Sequence, residues 1–468
     1  MKTFTLTRTI KAEEDYDVLV AGGGPAGVAA AIVAARKGSR VLLVEATGCL
    51  GGMGTSGLVT TFGPMGNGQR TLVGGFALEL IQTMYARGLL GPEVTPDYWI
   101  SHYNRWIPFH PEGLKLLLDE MCVSAGVEVR YFTRVAEAET EGRKVLGAVI
   151  HNIEGFSFIA AKTYIDATGD AVLADLCGAE CKVAGRDWKH APATLCSIFG
   201  NIDWNNEFYA SGNGGTDGAH NRIKKEFLPI ANESGIFTLP DPYIAGMKKI
   251  GATSGTLNGG HIYNLDGLDI KSLSDGMMYG RRLAQEYTQF YREFVPGCEN
   301  MEHLATAPVM GLRDTRRIVG EFELTMDDYR ARRQFPDQVA VYNRPADVHA
   351  TDTSREEHER FVKAFEEDGK DKLGVGDSVG IPYSILVPRG SENLWVAGRC
   401  HSSDTGVHGS IRAQSAAYMM GEAAATAARQ SIETGQPACD LDTRRLVETL
   451  RTQNAYLPQE QLSRTMTR

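Results

Sequence analysis

The chain contains no unbroken apolar run of about 18 residues, so the plainest signature of a membrane-spanning helix is missing. Its first residues, Met1 to Arg8, have neither an apolar stretch nor an arginine pair; no export signal is read there and a cytoplasmic protein is expected. Basic residues are outnumbered, 48 against 58 acidic, for a formal charge of -10. That balance argues against a general surface for nucleic acid or anionic membrane and leaves a local basic pocket open. The eight cysteines, at 49, 122, 177, 181, 196, 298, 400 and 439, form no Cys-x-x-Cys pair. Without that spacing no zinc or iron–sulfur framework is expected and no metal ligands are assigned. At 468 residues the chain is too long for one compact core, so two or three domains are expected.

What is present is organised around Asp17-Val18-Leu19-Val20-Ala21-Gly22-Gly23-Gly24-Pro25-Ala26-Gly27, followed by a small-residue helix and by Val41-Leu42-Leu43-Val44-Glu45. The pattern is a buried strand, a glycine turn, a helix and a second buried strand ending in a carboxylate, the context that makes Gly-x-Gly-x-x-Gly a dinucleotide site. Gly22 permits the tight turn, Gly24 lets backbone N–H groups approach a pyrophosphate, and Gly27 lets the helix pack against the sheet, with Pro25 and Ala26 at the helix start. Glu45 can accept hydrogen bonds from the hydroxyls of an adenosine ribose. Shortly after it comes a second set of glycines and hydroxyls, Gly51-Gly52-Met53-Gly54-Thr55, dense enough for a flat ligand to lie on bare backbone.

Further along, Thr3 to Lys11 alternates as an arm or edge strand, and Leu58 to Trp106 reads as an insertion walling a pocket. A helix from Pro111 leads to a strand near Gly126 to Phe132, then to short antiparallel strands at Val135 to Glu139, Val145 to Asn152 and Ser157 to Ala161. The strand Thr163 to Ala167 runs into Thr168-Gly169-Asp170. Lys182 to Gly380 is the least periodic third, with glycine turns at Gly212 to Gly218 and Gly251 to Gly260, a helix at Gly276 to Phe294 and a charged run at Arg355 to Lys372. A last buried strand, Asn393 to Arg399, precedes Cys400-His401-Ser402-Ser403-Asp404-Thr405-Gly406-Val407-His408-Gly409-Ser410-Ile411-Arg412 and an alanine-rich helix from Ala413 to Ile432; Leu441 to Leu457 reads as an amphipathic outer helix.

These motifs, in this order, resemble the FAD-dependent oxidoreductases of bacteria, whose fold is that of the glutathione reductase-like flavoproteins, with a distant likeness to fumarate reductase and succinate dehydrogenase flavoproteins. The resemblance implies an α/β fold: a Rossmann-like, three-layer (ββα) FAD domain formed by residues 1–180 and 381–440 with an insertion at 58–108, an inserted α+β substrate or cap domain at 181–380, and a helical tail at 441–468. It implies that Gly51, Gly52, Met53 and Thr55 pass near FAD, with Val135, Thr168, Gly169 and Asp170 as a second fingerprint. Gly398 returns to the cofactor, Asp404 takes the ribityl chain, and the helix start near Arg412 to Ser415 faces the flavin pyrimidine. Covalent members of the succinate dehydrogenase group carry a histidine in the second glycine loop; none occurs here between Met1 and Ser101, so noncovalent FAD is expected.

His408-Gly409-Ser410-Ile411-Arg412 is similar to the His-Gly-x-x-Arg segment of the fumarate reductase group, in which the histidine and arginine hold a substrate carboxylate. An arginine fork suits that role because it pairs two carboxylate oxygens. The match ends after Arg412, where Ala413-Gln414-Ser415-Ala416 replaces the leucine, glycines and Asn-Ser of that group. The other reading makes His408 a helix cap and Arg412 a surface charge. His401 and Tyr383 are further candidates, since a histidine can accept a proton while hydride leaves. Arg313 and Arg316 could reach in from the cap. The expected function is FAD-dependent hydride transfer between flavin N5 and a small polar molecule, a second donor or acceptor closing the cycle, in a protein that could be a homo-oligomer. A non-redox lyase or hydratase using FAD, or less plainly a NAD(P)-binding regulatory protein, is the alternative.

Overall fold

The computed structural model describes residues 3–101, 106–210, 216–239, 246–363 and 372–458. Parts of four expected features lie outside them: 102–105 of the insertion, 211–215 of the Gly212 turn, 364–371 of the charged run and 459–468 of the helical tail. The molecule is α/β, built on a seven-stranded sheet: β1 Lys11–Ala21, β2 Val41–Val44, β3 Glu128–Arg130, β4 Arg134–Glu141, β5 Lys144–Asn152, β6 Gly155–Asp166 and β7 Leu394–Val396. Strands β3, β2, β1, β6 and β7 are parallel, while β6, β5 and β4 form an antiparallel meander. The apolar runs of β1 and β2 are buried on both faces, as central parallel strands must be.

The sequence divides what the structure joins: the expected strands at Ser157 to Ala161 and Thr163 to Ala167 are the single strand β6. Its first half pairs with β5, Ser157 opposite Ile150, and its second half with β7, Tyr164 opposite Leu394, while β1 runs along its other edge. One strand thus brings the meander and the returning C-terminal segment to the same place. Helix α1, Pro25–Arg36, covers one face of the sheet. Beyond β7 a short helix α2, Thr405–Ile411, precedes α3, Gln414–Thr434, and both are largely buried. Thr3 to Ile10 forms no strand, and within the insertion Pro96–Ser101 is helical.

Small residues let α3 lie directly on the start of α1. A Cβ at Gly421 would stand 2.0 Å from the Ala26 carbonyl oxygen, a backbone atom that cannot step aside. Gly421→Val is therefore expected to lower stability by about 3 kcal/mol, read as a reduced denaturant midpoint; an unchanged midpoint would mean the two helices are not in this contact.

The segment 181–380 holds a four-stranded antiparallel sheet in the order Lys248–Lys249, Gly255–Leu257, Ser197–Gly200, Glu302–Thr306, packed on the helix Ile270–Phe294 through Phe199, Tyr287, Phe290 and Tyr291. Its later part behaves differently: Leu324, Tyr329, Val339, Tyr342 and Val379 share the core of α1 and α3. Among the described residues no helix is long and apolar enough to cross a membrane.

Candidate functional site

A cavity of about 970 Å³ opens at the C-terminal ends of β1, β2 and β6, where parallel α/β sheets bind ligands. At one end are Gly22, Gly24, Pro25, Ala26 and Glu45; Gly52, Met53, Val135, Thr168, Gly169 and Asp170 follow; Gly398 and Arg412 stand further along. Gly22 has φ +97°, and a Cβ there would meet the Ala167 carbonyl at 2.6 Å, so the turn requires glycine. A Cβ at Gly24 would touch no protein atom within 4 Å and would project into space at the N-terminus of α1. No side chain caps that helix. Free first-turn N–H groups beside an open cradle form a site for a phosphate. The shape and its donors fit the pyrophosphate of FAD.

Glu45 stands at the same end of the cavity as the glycine turn. Its Oε2 accepts from Gly23 N at 2.7 Å and its Oε1 from Thr47 N and Oγ1, each at 2.7 Å. A carboxylate has about four acceptor positions, so capacity remains for a ribose hydroxyl. Glu45→Ala removes that acceptor and strands the buried Gly23 N–H. FAD affinity is expected to fall about 10- to 100-fold, the equivalent of about 1–3 kcal/mol for an orphaned buried donor, as measured by fluorescence titration.

The turn Thr168-Gly169-Asp170 is built by Asp166, whose Oδ1 accepts from Thr168 N at 3.0 Å and whose Oδ2 accepts from Ala174 N at 2.9 Å. Burial pushes the Asp166 carboxyl up, and these hydrogen bonds work against that. Arg399 clamps the turn to the returning strand, donating through Nε to the Gly169 carbonyl at 2.9 Å and through Nη2 to Asp170 Oδ1.

Several expected ligands are placed elsewhere. Gly27 packs rather than lines, since its missing Cβ leaves room for the Gly22 carbonyl. Gly51 donates to the Gly23 carbonyl at 2.8 Å, and Thr55 is buried with its hydroxyl on the Leu50 carbonyl, so both shape the loop from behind. Asp404 caps α2 through Val407 N at 2.9 Å and also accepts from Met326 N; it does not line the cavity, so its ribityl role is corrected. The reason is α2 itself, a helix interposed between the returning strand and α3.

His401 and His408 are corrected in the same way. Both are buried outside the cavity lining, His401 Nδ1 donating to the Gly398 carbonyl at 2.7 Å and His408 Nε2 to the Arg399 carbonyl at 2.9 Å. Burial, reinforced by Arg317, holds His401 down to about 4 and His408 well below the ordinary histidine range. They are neutral buttresses of the turn carrying Arg399. Tyr383 is likewise internal, donating to the Ala438 carbonyl at 2.8 Å. Arg316 turns to Asp175 at 3.1 Å.

Arg412 does reach the cavity, as does Arg313, and tertiary structure adds Arg344, Asp347 and His349, which no sequence motif marks. Its Nη2 lies 2.7 Å from Asp347 Oδ2, which Arg344 Nη2 also approaches to 2.8 Å; His349 Nε2 is 3.0 Å from Asp347 Oδ1. Arg313, Arg344, Asp347 and His349 all line this end. Arg344 is braced by the carbonyl of Gly409 and by the Trp106 ring, 4.9 Å from its guanidinium carbon. Arg313 donates through Nη1 to Pro192 O and to Thr194 Oγ1 at 3.1 Å. Burial, with Arg344 and Arg313 adding to it and Asp347 opposing, draws Arg412 down to about 10, still a cation at neutral pH. Burial works to raise the Asp347 carboxyl, but His349, Arg344 and Arg412 outweigh it and hold it well below the usual carboxylate range.

The Asp-x-His pair sits in a loop without periodicity after the strand Gln338–Tyr342, so only its spacing could have signalled it. Gln414 was close to the expected flavin-facing helix start; its Nε2 donates to Val59 O at 2.7 Å and to Thr61 O at 3.1 Å, tying α3 to the insertion.

Among curated proteins no sequence matches this chain. Solved structures similar to it include p-nitrophenol 4-monooxygenase from Pseudomonas putida, at 12% identity and a TM-score of 0.47, covering 97% of this chain and 92% of that one. A geranylgeranyl bacteriochlorophyll reductase-like protein from Thermoplasma acidophilum gives 14% and 0.44, with 95% and 84% covered. A flavoprotein/dehydrogenase from Cytophaga hutchinsonii gives 15% and 0.42, with 93% and 82% covered. Likenesses this loose add nothing on the reaction. The profile of the family described as FAD dependent oxidoreductase matches residues 17–450, nearly the whole chain, and the protein therefore belongs to the FAD-dependent oxidoreductase family, with FAD as its cofactor.

Proposed function

We propose that this enzyme moves a hydride between flavin N5 and a small polar organic anion. The observation that carries the reading is the charge at the far end of the cavity: three arginines, Arg313, Arg344 and Arg412, against one carboxylate, Asp347. Arg344 commits both terminal nitrogens to buried contacts, Nη1 to the Gly409 and Ser410 carbonyls and Nη2 to Asp347. In Arg412 only Nη2 is hydrogen-bonded, and in Arg313 only Nη1, among the described residues. The remaining guanidinium N–H groups of these two side chains are donors for an anion, and an arginine edge pairs a carboxylate through two of them.

FAD, when bound, supplies a two-electron acceptor or donor. Gly24 and the start of α1 would hold its pyrophosphate, Glu45 and Thr47 its ribose, and Gly52, Met53 and the Thr168 turn its middle. Arg412 and Arg313 orient the substrate anion, and the walls from Val59, Thr61 and Gln414 exclude water. The likeness of His408 to Arg412 to the fumarate reductase segment supports the reading through the arginine alone.

A panel of matched anionic and neutral compounds, hydroxy acids against their amides, enoates against enones and amino acids against amines, tests this by anaerobic bleaching of the flavin or reoxidation of its reduced form. Anions are expected to react at least about 100-fold faster than their neutral partners, the equivalent of about 2.7 kcal/mol. Equal rates would exclude an anion site.

A further inference from the structure

We propose that the anion held by Arg313 and Arg412 is a monocarboxylic acid with an aliphatic substituent, and that the substituent lies on a wall of Leu58, Val59, Leu273, Val309, Met310 and Leu312. The inference rests on the reading of those two arginines as the anion site and adds the chemical class of what the anion carries.

All six side chains line the cavity that the arginines reach. Leu58 and Val59 open the insertion, Leu273 stands on the helix Ile270–Phe294, and Val309, Met310 and Leu312 follow the strand Glu302–Thr306. Leu58 and Met310 are buried members of an apolar cluster with Ile262, Leu265 and Leu283, and Val59, Leu273 and Leu312 pack against it, so the wall has a solid backing. Val59, Leu273, Val309 and Leu312 are only half-buried, which leaves apolar surface for a ligand to cover.

The wall joins the arginines at two points. Leu312 directly precedes Arg313, and its side chain is seated against Gly267, where a Cβ would stand 2.7 Å from Leu312 Cδ1. Val59 is tied to the other arginine through Gln414, two residues after Arg412, whose Nε2 donates to the Val59 carbonyl at 2.7 Å. Val309 N donates to the Ser56 carbonyl at 3.3 Å, which brings the two halves of the wall together. Polar residues that the four-stranded sheet and its neighbours add to the lining are taken. Thr256 Oγ1 donates to the Ser197 carbonyl at 3.3 Å with the Leu58 carbonyl at 3.4 Å, Asn258 Oδ1 accepts from Cys196 Sγ at 3.4 Å, and His220 and Lys248 have partners within the protein. A second carboxylate on the ligand would lose water against leucine, valine and methionine with no hydrogen bond in return, whereas methylene groups gain by leaving water.

Titration calorimetry of the FAD-loaded protein with acetate, butyrate and hexanoate, and with the three matching amides, tests this. Each methylene is expected to tighten binding about three- to fourfold, so that hexanoate binds about 100-fold better than acetate, with a heat-capacity change that grows more negative along the series. Hexanoate is expected to bind at least about 10-fold better than hexanamide, through the arginines. Leu273→Asn and Val309→Asn, on separate elements, should each cut the ratio of hexanoate to acetate to about 10-fold or below. A flat series in which the acids still bind better than the amides overturns the proposal and leaves the anion site standing. So does a ratio unchanged in both folded variants, or a series that is steep without FAD and flat with it, since the flavin then covers the wall. Acids that bind no better than amides overturn the anion site and this proposal with it. The wild-type series alone decides should the variants not fold.

Discussion

Arg412→Ala should retain FAD with an unaltered spectrum yet lose substrate-dependent flavin reduction by about 10²- to 10³-fold. The side chain lies 2.7 Å from Asp347 in a largely buried setting and contributes one of the two cationic edges with donors to spare. Truncating one partner of a buried charge pair costs about 3–5 kcal/mol, and here the loss falls on substrate binding and on the position of Asp347 together. Arg412→Lys should recover only part of the rate, because an ammonium cannot form two parallel hydrogen bonds to a carboxylate. His408→Ala, four positions away, is expected to behave oppositely. Its ring donates to the Arg399 carbonyl inside the core, so the variant should lose stability while reducing its flavin within about threefold of wild type. Stopped-flow reduction beside thermal melts separates the two. A fully active Arg412→Ala, or a well-folded, FAD-loaded His408→Ala that no longer reduces its flavin, would reverse the assignment.

The second large effect concerns the opening glycine turn, where two neighbouring positions should fail in different ways. Gly24 has φ -69° and ψ -175°, backbone any residue adopts, and its Cβ would project into empty space. Gly24→Val should therefore fold and melt as wild type does, but fill the cradle at the start of α1 and weaken FAD binding by at least about 100-fold, roughly 2.7 kcal/mol. At Gly27 a Cβ would stand 1.8 Å from the Gly22 carbonyl oxygen, a backbone atom. Gly27→Ala should accordingly lower the melting temperature before any question of cofactor arises. FAD titration and calorimetric melts of both proteins give the comparison. A Gly24→Val protein that binds FAD normally would move the pyrophosphate away from α1.

Legibility followed the reach of the interactions. The turn from Gly22 to Gly27, Glu45 and Thr168 to Asp170 could be read because each is a local solution to a local demand: a positive φ, a close approach, a carboxylate at the end of a strand. Misplaced residues came from the same source. Thr55, Gly51 and Asp404 are of the right type and adjacent to the right motifs, yet their side chains or missing Cβ atoms serve the loop and the helix that carry the motif. His408 matched a family segment in sequence, but its ring is committed to a carbonyl nine residues upstream.

The amino-acid sequence by itself determined the α/β class and the dinucleotide cradle, because strand burial, glycine conformation and helix start are set by residues a few positions apart, and the order of its motifs carried the resemblance that implied FAD. Only the tertiary structure gathered the charged groups at one end of the cavity. Arg313, the loop residues Arg344, Asp347 and His349, and Arg412 come from three separate stretches of chain, and no periodicity links them. The passage of the chain through α2 sets Arg412 on the cavity wall that Arg313 and the loop after Gln338–Tyr342 also line. There burial makes their charges act on one another, an effect absent while each is solvated in the unfolded chain.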